Sequence, residues 1–267
     1  MQALLRASGV TPQQIVASGP RSARAEELRT RYGVQATTSN VAAAGDADVV
    51  ILSVKPQVLP TVLSELRGHV PPTALVFSIV AGMPIATIRA GLDHPAIARA
   101  MPNTPAQIGE GMTVWTAAPE VTGVQREQSR AMLWTLGLDM SVTLEYVLEM
   151  ATAVSGTGPT YVFLLMEALV DAAVHLGFSR RQARFLVLQT VLGSVKFAQQ
   201  SDLHLAQLRN MVTSPGGTSA EAIYQLEKGG MRTILSKAIW AAYKKSRLLG
   251  ERAQQPAEGP LQISGED

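Results

Sequence analysis

Short apolar runs alternate with helix-like patterns through the first half of the chain, and no other feature constrains the fold as strongly. The predicted strands are 15–18, 34–37, 48–54, 74–80 and 96–101. The predicted helices between them are 23–32, 41–45, 57–66 and 85–90. This alternation is typical of an α/β fold with a doubly wound parallel sheet, in which ligands bind outside the carboxyl ends of the strands. We therefore predict a Rossmann-type, dinucleotide-binding domain over residues 1–143.

The opening of this predicted domain lacks the usual first strand and glycine-rich turn. A dinucleotide-binding sheet normally begins with a strand, a G-x-G-x-x-G turn and a helix whose N-terminus carries the pyrophosphate. Residues 1–10 (MQALLRASGV) instead have the pattern of the second half of that helix, ending at Gly9. Two alternatives stay open: the true start lies upstream of Met1, or the protein lacks the phosphate-binding turn.

From Glu145 onward the strand patterns give way to long helical ones. Residues 161–176 are apolar nearly all round, and a second long helix is predicted over 180–200. A helix without a polar face must be buried on every side, and about a hundred residues supply too little chain for that. We therefore predict an all-α dimerisation domain over 144–250, in an obligate dimer, followed by a disordered tail at 251–267.

Composition narrows the classes of function. The 267 residues carry 23 Lys and Arg against 21 Asp and Glu, a net charge of +2 that gives no electrostatic footprint for nucleic acid. The absence of Cys excludes thiolate ligands and cysteine nucleophiles, and the four scattered His residues predict no metal site. No apolar run reaches the roughly 18 residues of a membrane span, nor is there a signal-peptide pattern. We expect small-molecule partners, no membrane contact and a cytoplasmic location.

A glycine pair in the second half has the pattern of an anion-binding loop. Residues 213–219 read TSPGGTS and precede a predicted helix over 220–228. Adjacent glycines let backbone N–H groups turn inward, and the first N–H groups of a helix lack intrahelical partners, so together they can hold a carboxylate or phosphate. The alternative is an ordinary loop in which a Ser or Thr is the helix N-cap.

Four segments in order give the chain a resemblance to the pyrroline-5-carboxylate reductase family. They are 53–57 (SVKPQ), 100–105 (AMPNTP), 152–161 (TAVSGTGPTY) and 212–219 (VTSPGGTS). The resemblance covers residues from about 15 to 250 and implies hydride transfer from NAD(P)H to the C=N bond of 1-pyrroline-5-carboxylate, giving L-proline. It also implies a homodimer or a ring of dimers. Since a protonated imine is already electrophilic, such a reaction needs placement more than acid or base groups.

The resemblance implies two groups of residues that contact the cofactor, NADP or NAD. They are Ser18, Pro20, Arg21 and Ser22 at the adenosine ribose, and Val54, Lys55, Pro56, Ala81 and Gly82 at the nicotinamide riboside. Arg21 would pair with the 2′-phosphate of NADP, or else lies in a solvated turn, so the choice between NADH and NADPH stays open. Asn40 would lie against the adenine, or serve as N-cap of the helix beginning at Val41. The continuous apolar run 48–54 predicts a strand buried on both faces, so Lys55 after it must reach solvent or an anion.

The substrate residues implied by the resemblance lie mainly in the glycine-rich segment. Ser214, Gly216, Gly217 and Thr218 would hold the carboxylate of the ring. Ser219 would be the catalytic residue, standing where the family has a threonine whose hydroxyl faces the ring nitrogen. Glu145 matches a family glutamate near the substrate; the alternative is a first-turn helix acid.

Departures from the family pattern keep two rivals open. The family's His-Pro-x-x-Leu-Lys-Asp-x-Val becomes HLAQLRNMV at 204–212, and Thr157 and Thr160 replace Ser and Ala. One rival is a related imine or β-hydroxyacid reductase, against which the Pro-Gly-Gly segment argues. The other is a cofactor-dead paralogue that serves as a binding or assembly partner of an intact reductase, suggested by the missing first strand and turn.

Overall fold

A computed structural model describes residues 1–6 and 9–254 and divides the chain into two compact units. Unit 1 is Met1–Thr157 together with the segment from Ala242 onward, and unit 2 is Gly158–Ala241. The units therefore meet in the sequence later than the domain boundary predicted at 143 and 144. The division into a dinucleotide-binding domain before residue 144 and a dimerisation domain after it stays a prediction. Residues 255–267 of the predicted tail lie outside the described residues, and the four before them belong to the last helix.

Unit 1 contains two sheets. Strands β1 (Val16–Ser18) and β2 (Gln35–Thr37) form a parallel pair. Five more strands form a sheet in the order β3-β4-β5-β6-β7, namely Val49–Leu52, Leu75–Ser78, Ile97–Met101, Gly111–Ala117 and Gly137–Ser141. The neighbours are parallel except β5 and β6, which are antiparallel. The predicted Rossmann-type α/β fold is confirmed, whereas β6 and β7 were not among the predicted strands.

The split between the two sheets lies where the first strand of the doubly wound order would stand. Among the described residues no strand precedes β1, and β3 pairs only with β4. In the doubly wound order 3-2-1-4-5-6, the first strand lies between the second and the fourth, which correspond here to β1 and β3. The prediction that residues 48–54 are buried on both faces is therefore wrong. β3 is an edge strand, and Ile51 is 44% exposed.

The helices of unit 1 cover both faces of the sheet. They are α1 (Gln2–Arg6), α2 (Ser22–Tyr32), α3 (Asn40–Ala44), α4 (Leu59–Leu66), α5 (Ile85–Leu92), α6 (Gly123–Trp134) and α7 (Val147–Ala151). Two 3₁₀ helices, Pro12–Gln14 and Thr104–Ile108, and a π-helical segment, Thr152–Gly156, complete the unit. Strand β4 is buried throughout, with Val76 in the core cluster of α4 and α5 and Phe77 in the cluster with Trp115 and Leu133.

Unit 2 is entirely helical and buries little by itself. It contains α8 (Gly158–His175), α9 (Arg180–Gln199), α10 (Leu205–Met211), α11 (Thr218–Lys228) and the first part of α12 (Met231–Gln254). Of α8 to α11, only α9 has buried residues, Ala183 and Val187. Large apolar side chains such as Phe163 and Leu164 are more than half exposed. An apolar surface of this extent is what the predicted dimer requires.

One described helical stretch, Val147–His175, is long and apolar enough to cross a membrane by length and composition. This stretch was not predicted as a membrane span, because Glu149, Glu167 and Asp171 interrupt its apolar sequence. The stretch is not one regular helix, since α7 passes through the π-helical segment before α8 begins. Its first turns are held in unit 1, where Glu149 pairs with Arg99 at 2.9 Å.

Candidate active site

A cavity of about 160 Å³ opens at the carboxyl end of β1. Ser18, Pro20 and Arg21, three of the residues predicted at the adenosine ribose, line it. Ser22, the fourth, begins α2, directly after the lining residues. The cavity thus lies between the carboxyl end of a strand and the N-terminus of a helix, where phosphate-bearing ligands bind in α/β sheets. The residues present therefore fit the adenosine end of a dinucleotide.

Two arginines give this cavity a positive lining. Arg24, which the sequence analysis missed, lies one turn after Arg21 and pairs with Glu27 at 2.6 Å. This hydrogen bond and then the charge of Arg24 hold the pKa of the Glu27 carboxyl below its usual range, so the pair persists at neutral pH. No ion pair among the described residues includes Arg21. The pairing of Arg21 with a 2′-phosphate stays a prediction.

Asn40 lies between the cavity and the neighbouring helix. The Ser18 hydroxyl donates to its Oδ1 at 2.8 Å, and its Nδ2 donates to Glu65 Oε2 at 2.6 Å. The alternative that Asn40 is a helix N-cap is wrong, because Ser39 occupies that position and accepts from the Ala42 N–H at 3.1 Å. Its predicted place against an adenine stays a prediction.

The segment after β3 is more open than the sequence predicted. Lys55 and Ser53 are exposed, and Val54 and Pro56 are half-buried. Because β3 is an edge strand, the Lys55 side chain reaches solvent without crossing a buried layer. Lys55 therefore needs no anion to balance its charge.

The turn after β4 is closely packed. Gly82 is buried with φ +73°, a left-handed conformation that favours glycine. A Cβ there would lie 3.1 Å from Leu249 Cβ and 3.2 Å from the Gly250 backbone nitrogen. The C-terminal part of α12 therefore packs directly on this turn. Ala81, beside it, is half-buried and so remains accessible to a ligand.

Glu145, predicted at the substrate, is bound inside unit 1. Its Oε1 accepts from the Ile85 N–H at 2.8 Å and from Arg99 Nη1 at 2.9 Å. Arg99 is 3% exposed, and its Nη2 donates to Glu149 at 2.9 Å. The alternative that Glu145 is a first-turn helix acid is wrong, since α7 begins at Val147, and its predicted place near the substrate stays a prediction. Arg99 was not among the predicted site residues, although its sequence signal is an arginine inside an apolar strand pattern.

Asn103 makes a second link between the sheet and the segment that follows β7. Its Nδ2 donates to the Ser155 carbonyl at 3.1 Å, and its Oδ1 accepts from the Met112 N–H at 3.0 Å. Gly156 lies close to Met101, since a Cβ there would be 3.1 Å from the Met101 methyl carbon. Arg99 and Asn103 together explain why residues up to Thr157 belong to unit 1.

The glycine-rich segment of unit 2 has the geometry of an anion-binding loop. Gly216 has φ +70°, and Gly217 is the N-cap of α11, without any side-chain cap. The alternative of a Ser or Thr N-cap is therefore wrong. The N–H groups of Thr218 and Ser219 lie in the first turn of the helix, where no intrahelical acceptor exists. These N–H groups and the helix dipole favour a bound anion.

Ser214 lies against this loop. Its carbonyl accepts from the Gly217 N–H at 3.0 Å, and a Cβ on Gly217 would approach its hydroxyl oxygen to 2.5 Å. Gly217 has an ordinary φ of −82°, so a side chain here is limited by the space beside Ser214, whose carbonyl oxygen would lie 3.2 Å from an added Cβ, and not by backbone conformation. The predicted cofactor residues and Glu145 thus lie in unit 1, and the other predicted substrate residues lie in unit 2.

Two sequence families match the chain. Pyrroline-5-carboxylate reductase dimerisation matches residues 145–249, and NADP oxidoreductase coenzyme F420-dependent matches residues 1–82. Among curated proteins, a Pseudomonas aeruginosa pyrroline-5-carboxylate reductase is 40% identical over 252 residues, which cover 94% of this chain and 92% of the relative. The Synechocystis protein of the same name is 41% identical over 241 residues, 90% of each chain.

Solved structures give the same result over the whole fold. Plasmodium falciparum pyrroline carboxylate reductase with NADP bound superposes with a TM-score of 0.86 at 30% identity, covering 93% of this chain and 92% of that one. A Coxiella burnetii pyrroline-5-carboxylate reductase superposes with a TM-score of 0.84 at 36% identity, covering 93% of each chain.

Proposed function

This chain belongs to the pyrroline-5-carboxylate reductase family, and from that premise we propose which of its residues carry the reaction. It is an NAD(P)H-dependent oxidoreductase of proline biosynthesis that reduces 1-pyrroline-5-carboxylate to L-proline. The observation that carries this function is identity of about two residues in five to curated reductases along nine-tenths of both chains.

Unit 1 is proposed to bind the cofactor. Ser18, Pro20, Arg21 and Ser22 would hold the adenosine ribose and the 2′-phosphate of NADP. The first three line the cavity, Ser22 begins the adjoining helix α2, and no ion pair among the described residues includes Arg21. Asn40 would lie against the adenine. Val54, Lys55, Pro56, Ala81 and Gly82 would line the nicotinamide riboside. The bound NAD(P)H supplies a hydride, and the residues of the chain orient it.

The glycine-rich loop of unit 2 is proposed to bind the substrate. The first-turn N–H groups of α11, with Ser214, Gly216, Gly217 and Thr218, would hold the ring carboxylate. The Ser219 hydroxyl would hydrogen-bond the ring nitrogen and steady the iminium during reduction. Neither task requires a titrating side chain, which agrees with a reaction that depends on placement.

The helices of unit 2 are proposed to complete a homodimer. Residues 145–249 match a dimerisation family, and this segment includes the apolar stretch that could otherwise cross a membrane. Burial of this surface against a second copy accounts for its apolar character without a lipid phase. A ring of dimers and a cytoplasmic location belong to the same proposal.

The test is NAD(P)H oxidation with 1-pyrroline-5-carboxylate, by this 267-residue chain and by a form extended upstream with a β-strand and a glycine-rich turn. Turnover by both would show that the existing strand ends suffice for the cofactor. Turnover by the extended form alone would show that the 267-residue chain is inactive because β1 and β3 are not joined into one sheet. Turnover by neither would contradict the assigned roles and favour a non-catalytic partner of an intact reductase.

A further inference from the structure

Arg99 is a buried cation that the proposed mechanism leaves without a task. It lies in β5, between β4 and β6, and is 3% exposed. Its guanidinium donates to two carboxylates, Glu145 and Glu149, each at 2.9 Å. Removing a guanidinium from water costs free energy, which the two ion pairs offset. A buried charge held in this way suggests that Arg99 has a role other than packing.

Glu145 makes one further bond, and that bond reaches a helix N-terminus. The same Oε1 that meets Arg99 accepts from the backbone N–H of Ile85, the first residue of α5. The N-cap position of α5 is Pro84, whose side chain can accept no hydrogen bond. Glu145 therefore caps this helix from 60 residues away, and its charge complements the helix dipole.

The start of α5 is also the end of the turn proposed to contact the nicotinamide riboside. Gly82 lies three residues before Ile85, in a left-handed conformation. On its other side the turn meets Leu249 and Gly250 of α12. The buried side chains of Val80 and Met83 and the contact of Gly82 with α12 hold the body of this turn. At the start of α5, the first backbone N–H of the helix donates to Glu145 Oε1, which also accepts from Arg99.

We infer that Arg99 and Glu145 position the turn over residues 80–84 for cofactor binding. This inference rests on the proposed role of Ala81 and Gly82. It assigns Glu145 to the support of the cofactor site instead of to contact with the substrate. Arg99 is then a positioning residue, acting through Glu145.

The test compares two substitutions that each leave Arg99 with one carboxylate. Glu145→Ala removes the cap of α5, and Glu149→Ala, the matched control, does not touch α5. Direct titration of NADPH by nicotinamide fluorescence should give a dissociation constant raised about tenfold for Glu145→Ala, the order expected of a lost charge-assisted hydrogen bond. The control should bind NADPH as the unchanged chain does.

Kinetic constants separate this role from direct substrate binding. We expect Glu145→Ala to raise the KM for NADPH while the KM for pyrroline-5-carboxylate stays unchanged. A raised KM for the substrate with unaltered NADPH binding would overturn the inference. Equal losses of NADPH affinity in both variants would also overturn it, since the effect would then come from the charge balance around Arg99.

Arg99→Lys provides a second variant that keeps the buried charge. An ammonium cannot donate to two carboxylates in the planar geometry of a guanidinium, so NADPH affinity should fall by an intermediate factor. Unchanged affinity would remove Arg99 from the role. NADPH binding is measured without turnover. The positioning role of Arg99 and the reductase activity can therefore each fail without the other.

Discussion

The sheet unit and the helical unit differ in how they bury apolar side chains. In unit 1, strand β4 is buried along its whole length, and two core clusters pack on opposite faces of the sheet. In unit 2, α8 and α11 contain no buried residue, and Phe163 and Leu164 are mainly exposed. One unit completes its core within a single chain, and the other offers a surface that a second copy must cover.

The proposed binding groups follow the same division. In unit 1 the turn at Gly82 and the residue Asn40 are held by long-range bonds and contacts from distant elements. In unit 2 the loop around Gly216 is exposed, and the hydrogen bond that shapes it joins Gly217 to its near neighbour Ser214. The proposed cofactor side is therefore held by contacts between distant elements, whereas the proposed substrate loop is shaped by near neighbours in the sequence.

The largest expected effect comes from breaking the surface of unit 2. Leu164→Asp would place one carboxylate from each subunit in the twofold dimer interface. Burying both should cost at least ~3 kcal/mol, which raises the dimer dissociation constant about a hundredfold or more. We expect monomers and a loss of most turnover, measured by light scattering and NADPH oxidation. Val124→Asp places the same charge on an exposed position of α6 in unit 1 and should leave the dimer intact. Monomers in both variants, or in neither, would contradict the division.

The next effect tests the space around the substrate loop. A valine at position 217 would place its Cβ against the Ser214 hydroxyl, at 2.5 Å before any adjustment. Gly217→Val should raise the KM for pyrroline-5-carboxylate about thirtyfold, the equivalent of ~2 kcal/mol, with little change in the KM for NADPH. Gly123→Val, where an added Cβ meets nothing within 4 Å, is the matched control in unit 1. A larger loss of NADPH binding than of substrate binding would place the loop elsewhere in the mechanism.

A smaller effect concerns the hydroxyl of Ser219. Ser219→Ala should lower kcat/KM for the imine about tenfold, the scale of one lost hydrogen bond to a charged group, and should leave the dimer unchanged. Ser219→Thr keeps the hydroxyl and should retain turnover. Full activity of the alanine variant would remove this hydroxyl from the reaction.

The smallest effect sharpens the cofactor side. Arg21→Ala should reduce the preference for NADPH over NADH about fivefold, because an exposed guanidinium–phosphate pair contributes only ~1 kcal/mol. Glu27→Gln should act in the opposite direction, since it releases Arg24 from its 2.6 Å ion pair beside the same cavity. Steady-state kinetics with both cofactors would measure each change, and identical ratios in all three chains would exclude a 2′-phosphate contact here.

Local patterns predicted most elements of the fold closely. The predicted strand at 74–80 is Leu75–Ser78, and the predicted helix at 180–200 is Arg180–Gln199. The periodicity of apolar residues is a property of consecutive positions, so it can be read without knowing which distant segments pack against them. The glycine-rich loop belongs to the same class, because its conformation depends on Gly216, Gly217 and the helix that follows.

Features that depend on residues far apart in the chain were not predictable in this way. The exposure of Ile51 follows from the position of β3 at a sheet edge, and strand order is not encoded in the strand's own residues. Exact helix ends, although local, were not predicted either: the N-cap of α3 is Ser39 and not Asn40, a shift of one residue that the pattern alone does not resolve.

The sequence by itself therefore determined the α/β plan, the helical second half, the glycine-rich loop and the family resemblance. Only the tertiary structure decided that Glu145 meets Arg99 and Ile85, 46 and 60 residues away, and that α12 returns to pack on Gly82. The physical reason is that charge pairs and close contacts depend on three-dimensional distance. A carboxylate has the same local pattern whether it faces a substrate or caps a distant helix.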